Sequence, residues 1–312
     1  MVSANGEILS NSRVVYHAPD GQGIHPFIAA QNHMRFASRV LKDALEISGV
    51  SLGQLSFVCY SMGPGLGPCL RVGAVVARSM AISLGVPLVP VNHAVGHIEL
   101  GCLLCRARDP VVLLVSGGHT MVITHSGGRW RVLGETLDLT LGQLLDQFGR
   151  HAGIASPCGK SIEEAASRGS GYRRLPYSVK GNDVSFSGLL TAAKNKTDAG
   201  VPFNDVCFSI QETAFSMVVE VTERALAFTG KKEVMIVGGV AANRRLSEMM
   251  DVMVKRHSAR FEVMPVEFSG DCGAQIAWTG FLAGRAGVNV PVNEASVKQS
   301  WRLDTVDTPW RK

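Results

Sequence analysis

Val234-Met235-Ile236-Val237-Gly238-Gly239-Val240-Ala241-Ala242-Asn243-Arg244-Arg245-Leu246 decides the fold class of this chain. Four apolar residues, three of them β-branched, predict a buried strand, two glycines predict a tight turn, and the residues after Asn243 start a helix. Strand, glycine turn and helix in that order form the unit of an α/β fold, which holds ligands where its strands end. The unit recurs along the chain. Residues 111–115 predict a strand running into Ser116-Gly117-Gly118-His119-Thr120 and resuming at 121–124. Such a turn lets backbone N–H groups approach phosphate oxygens. Gly270-Asp271-Cys272-Gly273 opens an apolar helix over 274–283, and a buried strand over 55–60 ends at Met62-Gly63-Pro64-Gly65-Leu66-Gly67-Pro68, before a helix over 70–84. That last turn reads equally as an anion site at a helix N-terminus or as a packing turn, because it lacks the Lys-Ser/Thr of a P-loop. Four glycine loops at strand ends predict a nucleotide cleft between two α/β lobes.

A strand over 87–91 feeds Asn92-His93-Ala94-Val95-Gly96-His97-Ile98-Glu99. On a helix, His93 and His97 share one face with Cβ atoms about 5–6 Å apart, which lets two imidazoles ligate one ion. A third ligand has to come from elsewhere, and Asp271 is the candidate. The plain alternative is a helix with two ordinary histidines. A metallopeptidase reading needs a glutamate directly after the first histidine, and position 94 is alanine, with Glu99 beyond His97.

The remaining segments carry weaker signals. Ala4-Asn5-Gly6 reads as a hairpin turn followed by a strand to Tyr16, then a loop over 21–26 and a helix over 27–47. Asp138 and Asp146, and Glu163 and Glu164 after Ser156-Pro157-Cys158-Gly159, are carboxylates whose plain reading is a cap or a surface charge. Residues 177–188 are a surface hairpin or a substrate loop, residues 206–228 a long helix against a sheet, and residues 297–312 a terminal strand or arm. The 312 residues are 46% hydrophobic and 18% charged, which is a globular composition. An excess of 31 basic over 26 acidic residues is compatible with a polyanionic partner or with nothing more than a soluble surface. Seven scattered cysteines suit reduced thiols, and Cys102-Leu103-Leu104-Cys105 is a lone pair without a second. The absence of a long apolar run leads us to expect no membrane span and a cytoplasmic protein.

Gly63 to Pro68 with Leu70-Arg71-Val72, the octet 92–99, Val115-Ser116-Gly117-Gly118, Gly134-Glu135-Thr136-Leu137-Asp138, residues 179–188, residues 237–246 and Asp271-Cys272-Gly273 occur in one order. Together they resemble the catalytic subunit of the KEOPS complex, the archaeal and eukaryotic tRNA threonylcarbamoyladenosine synthase (O-sialoglycoprotein endopeptidase-like family). The resemblance implies an α/β, two-lobed actin/Hsp70-type ATPase (ASKHA) fold with ligand and metal in the cleft. It implies a lobe of residues 1–109, with 284–312 returning to it, and a second lobe of residues 110–283. His93, His97 and Asp271 would hold one iron or zinc ion, and Val115, Ser116, Gly117, Gly118, Asp146, Gly159, Glu163 and Asn243 would contact the nucleotide part of the substrate. The implied reaction moves threonylcarbamoyl from threonylcarbamoyl-AMP to the adenosine 3′ of the anticodon in tRNAs reading codons that begin with A, with ATP a further occupant of the cleft. Implied partners are tRNA and the kinase-like ATPase, tRNA-binding and small dimerising KEOPS subunits, with the helix over 27–47 as docking region.

The chain departs from that family at four places. Met1 falls after the family's first strand, so the expected alternative is a non-catalytic KEOPS scaffold that has lost turnover. Leu114 stands where this branch usually has a tyrosine able to join the metal. Cys158-Gly159-Lys160 replaces a Gly-Gly-Pro turn, and Cys272 stands where an asparagine usually follows the metal aspartate.

Overall fold

The structure, a computed structural model, describes residues 1–16, 19 and 23–311. Helix α1 (Pro26–Ser48) packs on α2 (Gly67–Leu84), and α2 is the crossover that joins β1 (Val58–Gly63) to its parallel neighbour β2 (Leu88–Asn92). Helix α3 (His93–Leu104) leaves β2 with no intervening residue.

A five-stranded sheet follows in the spatial order β5-β4-β3-β8-β9. Strands β3 (Val111–Val115), β4 (Thr120–Ser126) and β5 (Arg129–Glu135) are an antiparallel meander, and β3 pairs in parallel with β8 (Glu233–Val237), which pairs in parallel with β9 (Arg260–Val263). All five β3 residues are fully buried because both faces of the sheet are covered. Successive side chains point to opposite faces. Val111, Leu113 and Val115 therefore join the core built with α4 (Leu141–His151), α5 (Gly159–Ala166), α6 (Ser187–Asp198) and α7 (Phe203–Thr229), while Val112 and Leu114 pack against Ala94, Val95 and Ile98 of α3. This second set of contacts seats α3 on the sheet. A small hairpin, β6 (Val179–Lys180) and β7 (Asp183–Val184), precedes α6. Helix α8 (Arg244–Arg256) packs on α7, and after the short α9 (Val266–Ser269) comes α10 (Gly273–Arg285), which packs on α3, β1 and β2.

Most expected elements form close to where their patterns put them, and three do not. The strand expected over 55–60 starts three residues later, at Val58. The first hairpin turn closes, with Val2 bridged to Ile8, but residues 9–16 form no strand. The loop over 21–26 lies partly outside the described residues. Within residues 297–311 no strand forms, and a single bridge from Arg129 to Asp307 leads to Arg311, whose guanidinium lies 4.5 Å from the Trp130 ring centroid. Strand β5 was not anticipated, although Gly127 and Gly128, at φ of 60° and 74°, are the signature of a two-residue hairpin turn. Among the described residues no helix is long and apolar enough to cross a membrane.

Candidate metal centre and adjoining turns

Asn92 fixes the start of α3: its Oδ1 accepts from the N–H groups of Ala94 (3.0 Å) and Val95 (3.2 Å), and its Nδ2 donates to the Trp301 carbonyl (3.1 Å). An asparagine cap satisfies N–H groups that the helix leaves unpaired. His93 is then the first helical residue and His97 lies one turn on. Gly101 lets the helix press onto the sheet, since a Cβ there would meet Val237 Cγ1 at 2.8 Å. His97 is fully buried, and its position is set by packing. Asp271 arrives on the loop between α9 and α10, and because α10 packs on α3 its carboxylate reaches both rings.

Asp271 Oδ1 lies 3.2 Å from His93 Nε2 and 3.3 Å from His97 Nε2, and the three donor atoms lie within 4.8 Å of one another. Ligand bonds of about 2.1 Å at angles between 90° and 110° put neighbouring donor atoms about 3.0–3.4 Å apart. The two His–Asp separations lie in that range, and two imidazoles with a carboxylate are a nitrogen and oxygen donor set suited to one divalent ion. Burial pushes the His97 imidazole down, against its hydrogen bond to the Asp271 carboxylate, which works to raise it. Burial works to raise the Asp271 carboxyl, but hydrogen bonds from the two imidazoles outweigh it and hold the group well below the carboxylate range. Leu114 is absorbed in the core facing α3. Glu99 turns away from the centre and accepts from Trp130 Nε1 (3.0 Å) and from Arg311 Nε (2.7 Å) and Nη2 (2.9 Å), a fully paired buried ion pair.

The β3–β4 turn adjoins the centre through His119, whose ring stacks on His93 at 6.2 Å between centroids. Burial, with the neighbouring imidazoles adding to it, pushes His119 down to about 4, so it is neutral at pH 7. Ser116 Oγ accepts from the N–H groups of Gly118 (3.1 Å) and His119 (3.0 Å), so this side chain shapes the turn while Gly117 and Gly118 stay exposed. Val115 is buried, and its carbonyl approaches the β8 turn so closely that a Cβ at Gly238 would lie 2.3 Å from it; Gly238 also has a φ of 98°. Thr140 Oγ1 donates to the Gly117 carbonyl (3.0 Å), which joins the start of α4 to the same turn.

The other residues expected at the nucleotide form a separate network. Asn243 caps α8 through Leu246 N–H (3.2 Å) and donates to Gln211 Oε1 (2.7 Å). Glu163 Oε1 accepts from the Arg244 N–H (2.8 Å), an acid at a helix N-terminus. Asp146 Oδ1 accepts from the Cys158 N–H (2.8 Å), and Gly159, the first residue of α5, faces open space. Asp146 and Glu163 each keep one carboxylate oxygen without a partner among the described hydrogen bonds. Cys158 is accommodated beside Gly149, where a Cβ would lie 2.4 Å from its own.

Sequence reasoning read Asp138 only as a cap or a surface charge, and it missed Gln275. Asp138 accepts from the hydroxyls of Ser185 and Ser187 (both 2.6 Å) and from Phe186 N–H (2.8 Å), and so ties residues 177–188 to the end of β5. Gln275 places its amide 3.2 Å from His93 Nδ1. The available signal was a lone amide four residues after Asp271 in an apolar helix.

The family model of TsaD, tRNA N6-adenosine threonylcarbamoyltransferase, matches residues 7–278. A tRNA N6-adenosine threonylcarbamoyltransferase of Caldivirga maquilingensis is 49% identical over 306 residues, covering 98% of this chain and 92% of the relative. That of Methanopyrus kandleri is 49% identical, covering 99% and 92%. A probable bifunctional tRNA threonylcarbamoyladenosine biosynthesis protein of Methanothermobacter thermautotrophicus is 51% identical over 94% of this chain, which spans 55% of that protein. Among solved structures, T. kodakarensis HypF superposes with a TM-score of 0.64 at 14% identity over 79% of this chain and 43% of HypF, a likeness of fold alone. The fold is of the actin/Hsp70-type, as expected. Near half-identity over almost the whole length, together with the family match, means that this chain belongs to the TsaD family, the tRNA N6-adenosine threonylcarbamoyltransferases.

Proposed function

We propose that the chain transfers threonylcarbamoyl from threonylcarbamoyl-AMP to N6 of the adenosine 3′ of the anticodon in tRNAs reading codons that begin with A, and that it does so as a metal-dependent enzyme. The adenosine amine attacks the carbamoyl carbonyl carbon, a C–N bond forms, the C–O bond to phosphate breaks, AMP departs and the amine loses a proton. The observation that carries this reading is the convergence of His93, His97 and Asp271 beside the Ser116–His119 turn.

His93, His97 and Asp271 are the proposed holders of one iron or zinc ion. When bound, it supplies Lewis-acid polarisation of the carbonyl or phosphate oxygen. The backbone from Val115 through Gly118 approaches the phosphate, with Ser116 holding the turn in shape. The open carboxylate oxygens of Asp146 and Glu163 suit ribose hydroxyls, and Gly159 and Asn243 complete the nucleotide surface, which ATP also fits. Holding donor and acceptor together removes much of the entropic part of the barrier. His119, neutral at pH 7, presents an imidazole able to accept a hydrogen bond from substrate.

The lobes of this reading are residues 1–109 with 284–312, and residues 110–283, with α10 carrying the Asp271 turn onto α3. The protein is cytoplasmic and works with KEOPS subunits, which are kinase-like, tRNA-binding and small dimerising. A docking face on α1 is supported by the exposed Phe27, Ile28, Met34 and Ile47. The test is transfer of labelled threonylcarbamoyl to tRNA with those partners present. Wild type transfers label, the His93→Ala/His97→Ala double variant does not, and equal transfer by both would refute the metal-dependent reading.

A further inference from the structure

Gln275 is 1% exposed and stands in the first turn of α10, four residues beyond Asp271. Its Nε2 lies 3.2 Å from His93 Nδ1, and its Oε1 lies 3.8 Å from the Cys272 thiol. The opposite ring nitrogen of His93, Nε2, is the one that faces Asp271. We propose that Gln275 is a positioning residue for the metal: its amide, backed by Cys272, turns its oxygen to His93 Nδ1 when Nε2 takes the ion. This inference rests on the metal reading above.

The argument is one of donors and acceptors. An imidazole that ligates through Nε2 carries its hydrogen on Nδ1, and that N–H needs an acceptor in a buried site. The amide oxygen and nitrogen have almost the same size, so a half-turn of the carboxamide exchanges them without displacing a neighbour. A side chain at position 272 that could only donate or only accept would oppose that exchange. A thiol accommodates it, because S–H donates to the amide oxygen in one setting and sulfur accepts from the amide N–H in the other. This gives Cys272 a role that does not involve touching the metal, and its sulfur is not part of the three-residue donor group. His97 has no comparable support. Among the described residues its Nδ1 is buried without a hydrogen-bond partner, so His97 is held by packing and His93 by the amide.

Outer partners of histidine ligands are typically worth 10–100-fold in metal affinity. The probe is Zn²⁺ alone, measured by competition with a chelator on the full chain, with the metal-free melting temperature and the ¹⁵N signal of the His93 ring as independent readouts. Gln275→Met, of similar length but without the amide, should bind Zn²⁺ about 10–100-fold more weakly. Gln275→Glu, which fixes an acceptor at the same place, should restore wild-type affinity or better. The metal-free melting temperature of Gln275→Met should not fall, and zinc-loaded wild type should show a hydrogen-bonded Nδ1–H on His93. Unchanged affinity in Gln275→Met, equal weakening in Gln275→Glu, or a zinc-loaded His93 with no Nδ1–H hydrogen bond would each overturn the assignment. If wild type binds Zn²⁺ no better than His97→Ala, the metal reading itself fails and this inference falls with it.

Discussion

Around His93 and His97 the helix is buried on nearly every side and the donor atoms face one another; around Asp146, Glu163 and Asn243 each side chain already ties down a helix or a loop. At the first region architecture and chemistry are separate. Asn92, Gly101 and the Glu99–Arg311 pair hold α3 by a cap, a close approach and an ion pair in which neither imidazole takes part. At the second they coincide, because Asn243 is both a helix cap and a proposed nucleotide contact. Substitutions at the metal corner should therefore remove binding while leaving the fold, whereas those at the nucleotide network should affect both together.

The largest effect tests the corner. His97→Ala should lower Zn²⁺ affinity by more than the 10–100-fold typical of an outer-partner change, while the metal-free protein loses only the packing of one buried ring and stays folded. A large fall in the metal-free melting temperature would break the separation. Next comes the scaffold of α3. Arg311→Ala leaves Glu99, 3% exposed, as an uncompensated buried charge, and should cost about 3–5 kcal/mol in denaturant unfolding. Arg311→Met combined with Glu99→Gln should recover much of that loss, and Zn²⁺ affinity in the surviving fold should be close to wild type.

Asp138 supplies a pH signature. Burial works to raise its carboxyl, but hydrogen bonds from Ser185, Ser187, Phe186 and Leu139 together hold it well below the ordinary range. A carboxyl lowered on folding stabilises fully above its unfolded value, near pH 4, and this contribution is lost as pH falls below it. Melting temperature followed from pH 5 to pH 2 should therefore fall more steeply in wild type than in Asp138→Asn, and parallel curves would remove Asp138 as the tie for residues 177–188. The smallest effect is Asn243→Ala, which should cost about 1 kcal/mol through the lost cap. It should also weaken nucleotide binding, and a loss of one without the other would separate the two roles assigned to that residue.

Much of this was legible because local pattern and tertiary placement agreed. The apolar run 111–115 reads as a strand and residues 206–228 as a helix against its sheet, while the seat of α3 on the other face shows only in the structure. His93 and His97 were readable from helical spacing alone. Asp271 needed the packing of α10 on α3, a contact across 174 residues that periodicity cannot supply. Residues 9–16 read as a strand because an Asn-Gly turn precedes them, and the tail because its residues alternate, yet in the structure each makes no more than an isolated bridge at one residue or none. Gln275 was invisible for a similar reason: an amide in an apolar helix acquires meaning only once a ring nitrogen is found 3.2 Å away.

The most direct test of the central claim is a metal titration of transfer itself. The chelated wild-type chain with its partner subunits, threonylcarbamoyl-AMP and tRNA should be inactive. Activity should rise with added iron or zinc and saturate at one equivalent, while His93→Ala/His97→Ala stays inactive throughout. Full transfer by the chelated wild type, or restoration of the double variant by the same equivalent of metal, would contradict the account.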